Sequence, residues 1–343
     1  MKKLHAILLV LGFGFLAYLV WTLGVGRLWR ELASLGWGLI PLLLGEGVAE
    51  MIHTIGWRRC LSGPLRALPW SFLFRVRMAG YAINYLTPTA ALGGELTKAG
   101  LLASRGSGPE AVSGVLIGKV CFALAHLVFV ALGSIVIAWQ VKLPAALCVA
   151  MLVSSALVSG GIIAFLLLQK FGRLGALIRW LAARGLGGSL VQGAAGRITA
   201  VDDVMKQFYR EHPVDLPLAI CWHLVGYSVG IAQTWWFFRL LHLEAPLSVA
   251  AGAWILGMWF DLLTFAIPLN LGTLEGTRIF AFNAIGYNAL MGMTYGLAQR
   301  LAQLLWAGVG LLFYAALMAR AAAPFGAAQP TPWKASRAEV LKP

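Results

Sequence analysis

The sequence predicts an all-α, polytopic integral membrane protein. Three observations carry this. Hydrophobic residues make up 60% of the 343-residue chain and charged ones only 12%, with a mean hydropathy of +0.80. Apolar runs of about 20 residues, the length a helix needs to cross the hydrocarbon layer, recur along it. The formal charge of +14 comes from basic residues clustered in short segments between those runs. That distribution fits the positive-inside rule better than a nucleic-acid surface.

Six long apolar segments qualify as full spans, at 4–25, 37–58, 111–139, 143–169, 214–241 and 292–319. The first begins MKKLHAILL and resembles a secretory signal. Its apolar run is too long, and no clean small-residue cleavage site follows, so it reads as a retained span. Two further apolar segments, 70–104 and 248–290, are interrupted by Pro88, Gly93 and Gly94 and by Pro268 and Gly272. Cys60, Cys121, Cys148 and Cys221 are scattered among apolar neighbours, with neither metal-site nor obvious disulfide spacing.

Basic residues then set the sides. Lys2 and Lys3, the group from Arg58 to Arg77, the stretch 170–212 with its seven Lys and Arg, and the tail after 320 all read as cytoplasmic. Stretch 170–212 also suits interfacial helices. The economical topology has six spans and two re-entrant hairpins entering from opposite faces. Residues 1–139 form a first repeat, 140–320 a second, inverted one with the amphipathic loop, and 321–343 a tail. Inverted repeats with broken helices are a plan of many secondary transporters. Hairpin arms that span fully would instead give about ten spans, a count that arm length alone does not exclude.

The two interruptions align. Glu95 follows Pro88 by seven residues, and Lys98 comes three later. Glu275 and Arg278 follow Pro268 at the same offsets. Lys119 lies 31 residues after Pro88, and Arg300 lies 32 after Pro268. Proline removes a donor and glycine relaxes the backbone, so the helix breaks there. In a bilayer such a break survives only against protein or a watery cavity. The half-helix beyond it turns its N-terminal amides toward the cavity and favours an anion. Glutamate and a base at i, i+3 share a helix face. They can neutralise each other or release the base to a phosphate. The bland alternative is a structural ion pair pinning each hairpin.

Glu46, Glu50 and His53 fall at i, i+4 and i+7 on one face of the second span. They and Asp261 are candidates for proton or ion coupling. Lys119 or Arg300 would be the partners if the two acids are structural. Asp261 is placed to pair with Arg278 or Arg300, and Gln299 and Gln303 extend a polar patch beside Arg300. His126 and His223 read as lone, satisfied polar residues. The sequence contains no phosphate-binding P-loop, no H-E-x-x-H and no G-x-S-x-G. No catalytic residue, metal or cofactor is therefore expected.

NYLTPTAALGGELTKAGLL, residues 84–102, resembles the first signature of the flippase-like membrane region of lysylphosphatidylglycerol synthases and their stand-alone relatives. IPLNLGTLEGTRIFAF, residues 267–282, resembles the second, with Leu269 and Asn270 where the pattern has Gly-Gly. The resemblance covers about residues 5–320 and does not include the aminoacyl-transferase domain. It implies a bacterial inner-membrane lipid translocase, with both termini cytoplasmic. The cargo would be a phospholipid, a glycolipid or a hopanoid-type lipid, and lipid-biosynthesis enzymes would be neighbours. Lys98, Lys119, Arg278, Arg300, Glu95 and Glu275 would form the substrate site. The alternatives are a small-anion carrier, an integral-membrane transferase using Glu46, Glu50 or Asp261, and an accessory subunit of a lipid-synthesis complex.

Overall fold

The computed structural model describes residues 24–86, 92–140, 143–170, 207–264 and 272–322, together with Tyr18, Trp21, Trp180, Ala183, Arg184 and Asn270. The first expected span, both prolines at the breaks, most of the loop 170–212 and the tail beyond 322 lie outside these residues.

Every regular element among the described residues is a helix. In chain order these are α1 (Val25–Ser34), α2 (Leu39–Arg59), α3 (Gly63–Arg66), α4 (Trp70–Leu86), α5 (Leu92–Ala103), α6 (Gly108–Gln140), α7 (Ala145–Lys170), α8 (Asp215–Leu240), α9 (Leu247–Thr264), α10 (Thr273–Ala284) and α11 (Ala289–Ala322). Four are long and apolar enough to cross a membrane: Gly36–Arg59, Gly108–Ile137, Asp215–Leu240 and Ala289–Ala319. At most a third of each such window is buried inside the protein. Among the described residues no helix covers the rest of that apolar surface, as expected of helices that face hydrocarbon. The chain is a polytopic helical membrane protein.

Local chemistry sets the helix starts. α6 opens with a capping box: the Ser107 hydroxyl accepts from the Glu110 amide at 3.2 Å, and the Glu110 carboxylate accepts from the Ser107 amide at 3.1 Å. α11 is capped by the Asn288 side chain, which accepts from the Met291 amide at 2.9 Å. α4, α7 and α9 each begin directly after proline, at Pro69, Pro144 and Pro246. α10 starts at Gly272, whose φ of 71° is a left-handed conformation that glycine adopts without penalty. Arg58 and Arg59 close α2 on the favourable end of its dipole.

Two elements form the centre. α2 and α8 run antiparallel, as paired contacts along them show. The Trp236 indole donates to the Gly38 carbonyl, Gln233 donates to that of Leu42, His53 meets His223, and Arg59 meets Asp215. Around this pair each half contributes a hairpin, α4–α5 and α9–α10, followed by a long helix. The long helix of each half lies against the first arm of the other half's hairpin. α11 packs on α4, with Arg300 on Tyr85 and Gly310 closing on Met78. α6 packs on α9, with His126 on Met258 and Gly133 closing on Ile255.

The hairpin ends sit at opposite ends of the α2–α8 pair. Leu73 and Leu102, from the open end of the first hairpin, pack with Trp57, Cys60 and Ala219. Ala250 and Phe282, from the second, pack with Leu42 and Phe237. In the first of these clusters the Cys60 and Cys121 thiols approach to 3.6 Å. They are 61 residues apart in sequence, so spacing gives no hint of this proximity.

Candidate functional site

A cavity of about 350 Å³ lies between the hairpins and the α2–α8 pair. Helical periodicity aims its polar lining. Glu46, Glu50 and His53 come from one stripe of α2, as their spacing predicts. Arg77, Tyr81 and Asn84 come from α4 at the same spacing. Glu95 and Lys98 come from α5, Lys119 and His126 from α6, Asp261 from α9, Arg278 from α10, and Gln299 and Gln303 from α11. Four acidic side chains (Glu46, Glu50, Glu95, Asp261) thus face four basic ones (Arg77, Lys98, Lys119, Arg278).

The bases are neutralised in the observed arrangement. Lys98 Nζ lies 2.5 Å from Glu95, and Lys119 reaches the other Glu95 oxygen at 3.6 Å. Arg77 Nε lies 2.6 Å from Glu50. The Arg278 guanidinium forks onto both Asp261 oxygens at 3.2 and 2.9 Å, and its Nε donates to Gln299 at 2.6 Å. Each base also lies near an aromatic ring: Lys98 near Trp57, Arg77 and Lys119 near Phe122, and Arg278 near Trp254. Such rings stabilise a cation without committing it to one partner. Glu46 is the exception among the four acids. It has no ion-pair partner among the described residues and accepts the Tyr81 hydroxyl at 3.3 Å.

Glycine permits the close approach that builds this site. A Cβ on Gly94 would fall on the Gly80 carbonyl oxygen and the Asn84 side chain. That contact lets Asn84 accept the Gly94 amide at 2.7 Å, and it presses the Lys98 stem against Gly80. In the second hairpin Gly257 leaves room for the Arg278 guanidinium in the same way.

Several expected pairings are redrawn. Glu275 does not pair with Arg278. It is fully buried and turned toward α11, where Arg300 donates to both its oxygens at 2.9 and 3.0 Å. Arg300 also donates to the Tyr85 hydroxyl and the Asn270 carbonyl. Neither Glu275 nor Arg300 lines the cavity. Arg278 goes to Asp261 instead, because its long side chain crosses to the other arm of its own hairpin. Glu50 pairs with Arg77 rather than Lys119 or Arg300. His223 is not alone, for its Nδ1 lies 3.0 Å from that of His53. Gly93 and Gly94 stand in the first turn of α5, and Gly272 is the residue before α10. Pro88 and Pro268 lie outside the described residues.

Sequence reasoning missed Arg77, Tyr81 and Asn84. It grouped Arg77 with the interfacial bases, although the i, i+4, i+7 stripe that singled out Glu46, Glu50 and His53 is equally present in α4. Gln233 and Trp57 also line the cavity, and neither carried a signal beyond its own polarity.

Comparison with curated proteins and with solved structures gave no match. The profile of the lysylphosphatidylglycerol synthase TM region matches residues 5–311, which include both hairpins and the whole cavity. The chain belongs to the lysylphosphatidylglycerol synthase TM region family.

Proposed function

We propose that this protein is a lipid translocase, built from two inverted repeats, that passes a lipid headgroup through the central cavity. The observation that carries the reading is the set of four bases in that cavity, each held by a carboxylate that an incoming anion would replace. The cavity volume lies near the lower end of the roughly 300–1,000 Å³ typical of ligand sites. It suits a headgroup whose chains stay in the bilayer. Lys119 lines the cavity, yet 44% of its side chain is exposed. The neighbouring Leu92 and Leu96 on α5 present apolar surface outward. A polar site opening beside lipid-facing helix favours lipid cargo over the sealed cavity of a small-anion carrier.

In this mechanism Lys98, Lys119 and Arg278 bind a phosphate or a polar sugar. Glu95 and Asp261 hold those bases when the cavity is empty. Arg300 and Glu275 pin the second hairpin and do not touch cargo. With Glu50 committed to Arg77 and Asp261 to Arg278, Glu46 is the group free to carry a coupled proton. In this reading the protein acts as a transporter rather than an enzyme.

The re-entrant reading rests on length and direction. α5 and α10 have 12 residues each, ~18 Å of helix, well short of a bilayer core of ~30 Å. Their hairpins open toward opposite ends of the α2–α8 pair. The positive-inside rule puts the first hairpin's open end and both termini in the cytoplasm of a bacterial inner membrane. In a cysteine-free background, Ser104→Cys and Glu244→Cys are expected to react with an impermeant maleimide from opposite faces. Labelling of both from one face would overturn the inverted arrangement.

Transport is tested in proteoliposomes containing headgroup-labelled anionic, sugar-bearing or neutral lipids, with outer-leaflet label destroyed by an impermeant reductant. The wild type is expected to expose the inner pool, with or without a proton gradient. The Lys98→Ala, Arg278→Ala double variant, if it elutes as folded protein, is expected to be at least about tenfold slower, as two charge-assisted contacts would be lost. Glu46→Gln is expected to remove the pH dependence of the rate. Failure of the wild type to move any of these lipids under either condition would sink the translocase reading.

A further inference from the structure

A second cavity, of about 490 Å³, lies apart from the first, where α2 ends and the short helix α3 begins. Ile55, Arg58, Arg59, Gly63, Arg66 and Ala67 line it. Three of these six residues are arginines. The carboxylate that meets them is Asp215, from the start of α8 more than 140 residues further on. Arg66 grips Asp215 with both terminal nitrogens, at 2.5 and 3.0 Å, and Arg59 reaches it at 3.5 Å. The His212 ring also approaches Asp215, at 3.3 Å. Arg58 donates its Nε to the Arg66 carbonyl at 3.3 Å and has no carboxylate partner among the described residues.

The charges do not balance. Among the described residues three guanidiniums line the cavity, while the Asp215 carboxylate pairs with two of them and the Glu110 carboxylate, beside Gly63, is turned to the Ser107 amide. The positive-inside rule accounts for arginines on this face. It does not account for their convergence on one concave site, with two of them oriented by an acid from the other half of the chain. Holding like charges together beside hydrocarbon costs energy that a bound anion would recover. Guanidinium forks match the oxygens of a phosphate. The position also restricts the source. α2 and α8 are both long and apolar enough to cross a membrane, and the site is formed where one ends and the other starts, which for such helices is headgroup level. Phosphates of anionic lipids concentrate there.

We propose that Arg58, Arg59 and Arg66 form an interfacial binding site for a phosphate-bearing anion, presented by an anionic phospholipid of the adjoining leaflet. This site is separate from the translocation cavity and independent of whether the protein moves lipid. A lipid held there ties the end of α2 to the start of α8 and so stabilises the central helix pair.

The test uses the full chain in detergent, with the thermal unfolding midpoint followed during titration. The additives are short-chain phosphatidylglycerol, short-chain phosphatidylcholine and inorganic phosphate. Phosphatidylglycerol is expected to raise the midpoint more than phosphatidylcholine. Arg58→Gln combined with Arg59→Gln is expected to weaken that response at least about tenfold, and Arg58→Gln alone to weaken it in part. The single variant breaks no ion pair among the described residues, so it keeps the test valid if the double variant folds poorly. Arg239→Gln, in the last turn of α8 and outside both cavities, is expected to leave the response unchanged. An equal, Arg58-dependent shift with inorganic phosphate would uphold the anion site and assign it to a soluble ligand. Equal shifts for the two lipids, equal shifts in wild type and Arg58→Gln, or loss of the response in Arg239→Gln alone would overturn the proposal.

Discussion

Glu275→Gln is expected to destabilise the protein by about 3–5 kcal/mol, the usual cost of removing one partner of a buried ion pair. Glu275 is 0% exposed, and its two oxygens take both forks of Arg300. With the carboxylate gone, a guanidinium held beside Tyr85 and Asn270 keeps its charge and loses its counter-ion. The measurement is the thermal unfolding midpoint in detergent, with the fraction of monodisperse protein as a second reading. Glu95→Gln is the contrast. Glu95 holds Lys98, whose side chain is 10% exposed, and Lys119, at 44%; a buried lysine, unlike an arginine, can give up its proton and Lys119 can turn to solvent, so the loss should be smaller. Adding Arg300→Met to Glu275→Gln should cost less than Arg300→Met costs the wild type, since the two groups act as a unit. A midpoint for Glu275→Gln within a degree of the wild type would show that this pair does not hold the second hairpin.

Gly94→Val is expected to have the largest effect on transport of any substitution that adds no charge. The new side chain meets backbone and the Asn84 amide, neither of which can swing away, so the arms of the first hairpin must separate. Overpacking of this kind costs about 1–3 kcal/mol in stability. The functional loss should exceed it, because the Asn84–Gly94 hydrogen bond breaks and Lys98 and Glu95 shift together. Displacing a positioned group by about 1 Å can cost a hundredfold in rate. Lipid scrambling normalised to folded protein checks this. Gly100→Ala on the same helix is the control, since its Cβ points into open space. It should leave transport intact and gain up to about 1 kcal/mol of stability from helix propensity. Equal rates for Gly94→Val and Gly100→Ala would mean that the close approach of the arms has no part in transport.

What could be read in the sequence was whatever depends on neighbours along the chain. Apolar run length marked the helices from 39 to 59, 108 to 140, 215 to 240 and 289 to 322 to within a few residues, because crossing hydrocarbon sets both length and composition. The matched Glu95–Lys98 and Glu275–Arg278 spacings marked the second arm of each hairpin. The i, i+4, i+7 stripe of Glu46, Glu50 and His53 marked a cavity face, since helical periodicity alone puts those residues on one side. Charge partners could be read only in part: Glu95 with Lys98 and Asp261 with Arg278 were among the expected pairs, but nothing along the chain chose between Glu275 and Asp261 for Arg278. Lys98 takes its own-helix glutamate, while Arg278 at the equivalent position crosses to Asp261 and leaves Glu275 to Arg300. That choice depends on the rotation and separation of the two arms, which Gly80 and Gly94 fix in one hairpin and Gly257 in the other. Arg77 meeting Glu50 waits on the packing of α4 against α2, and His53 meeting His223, with Asp215 drawing Arg59 and Arg66 together, on the antiparallel docking of α2 and α8. Local periodicity sets the face on which a side chain lies; only helix packing sets what stands opposite it.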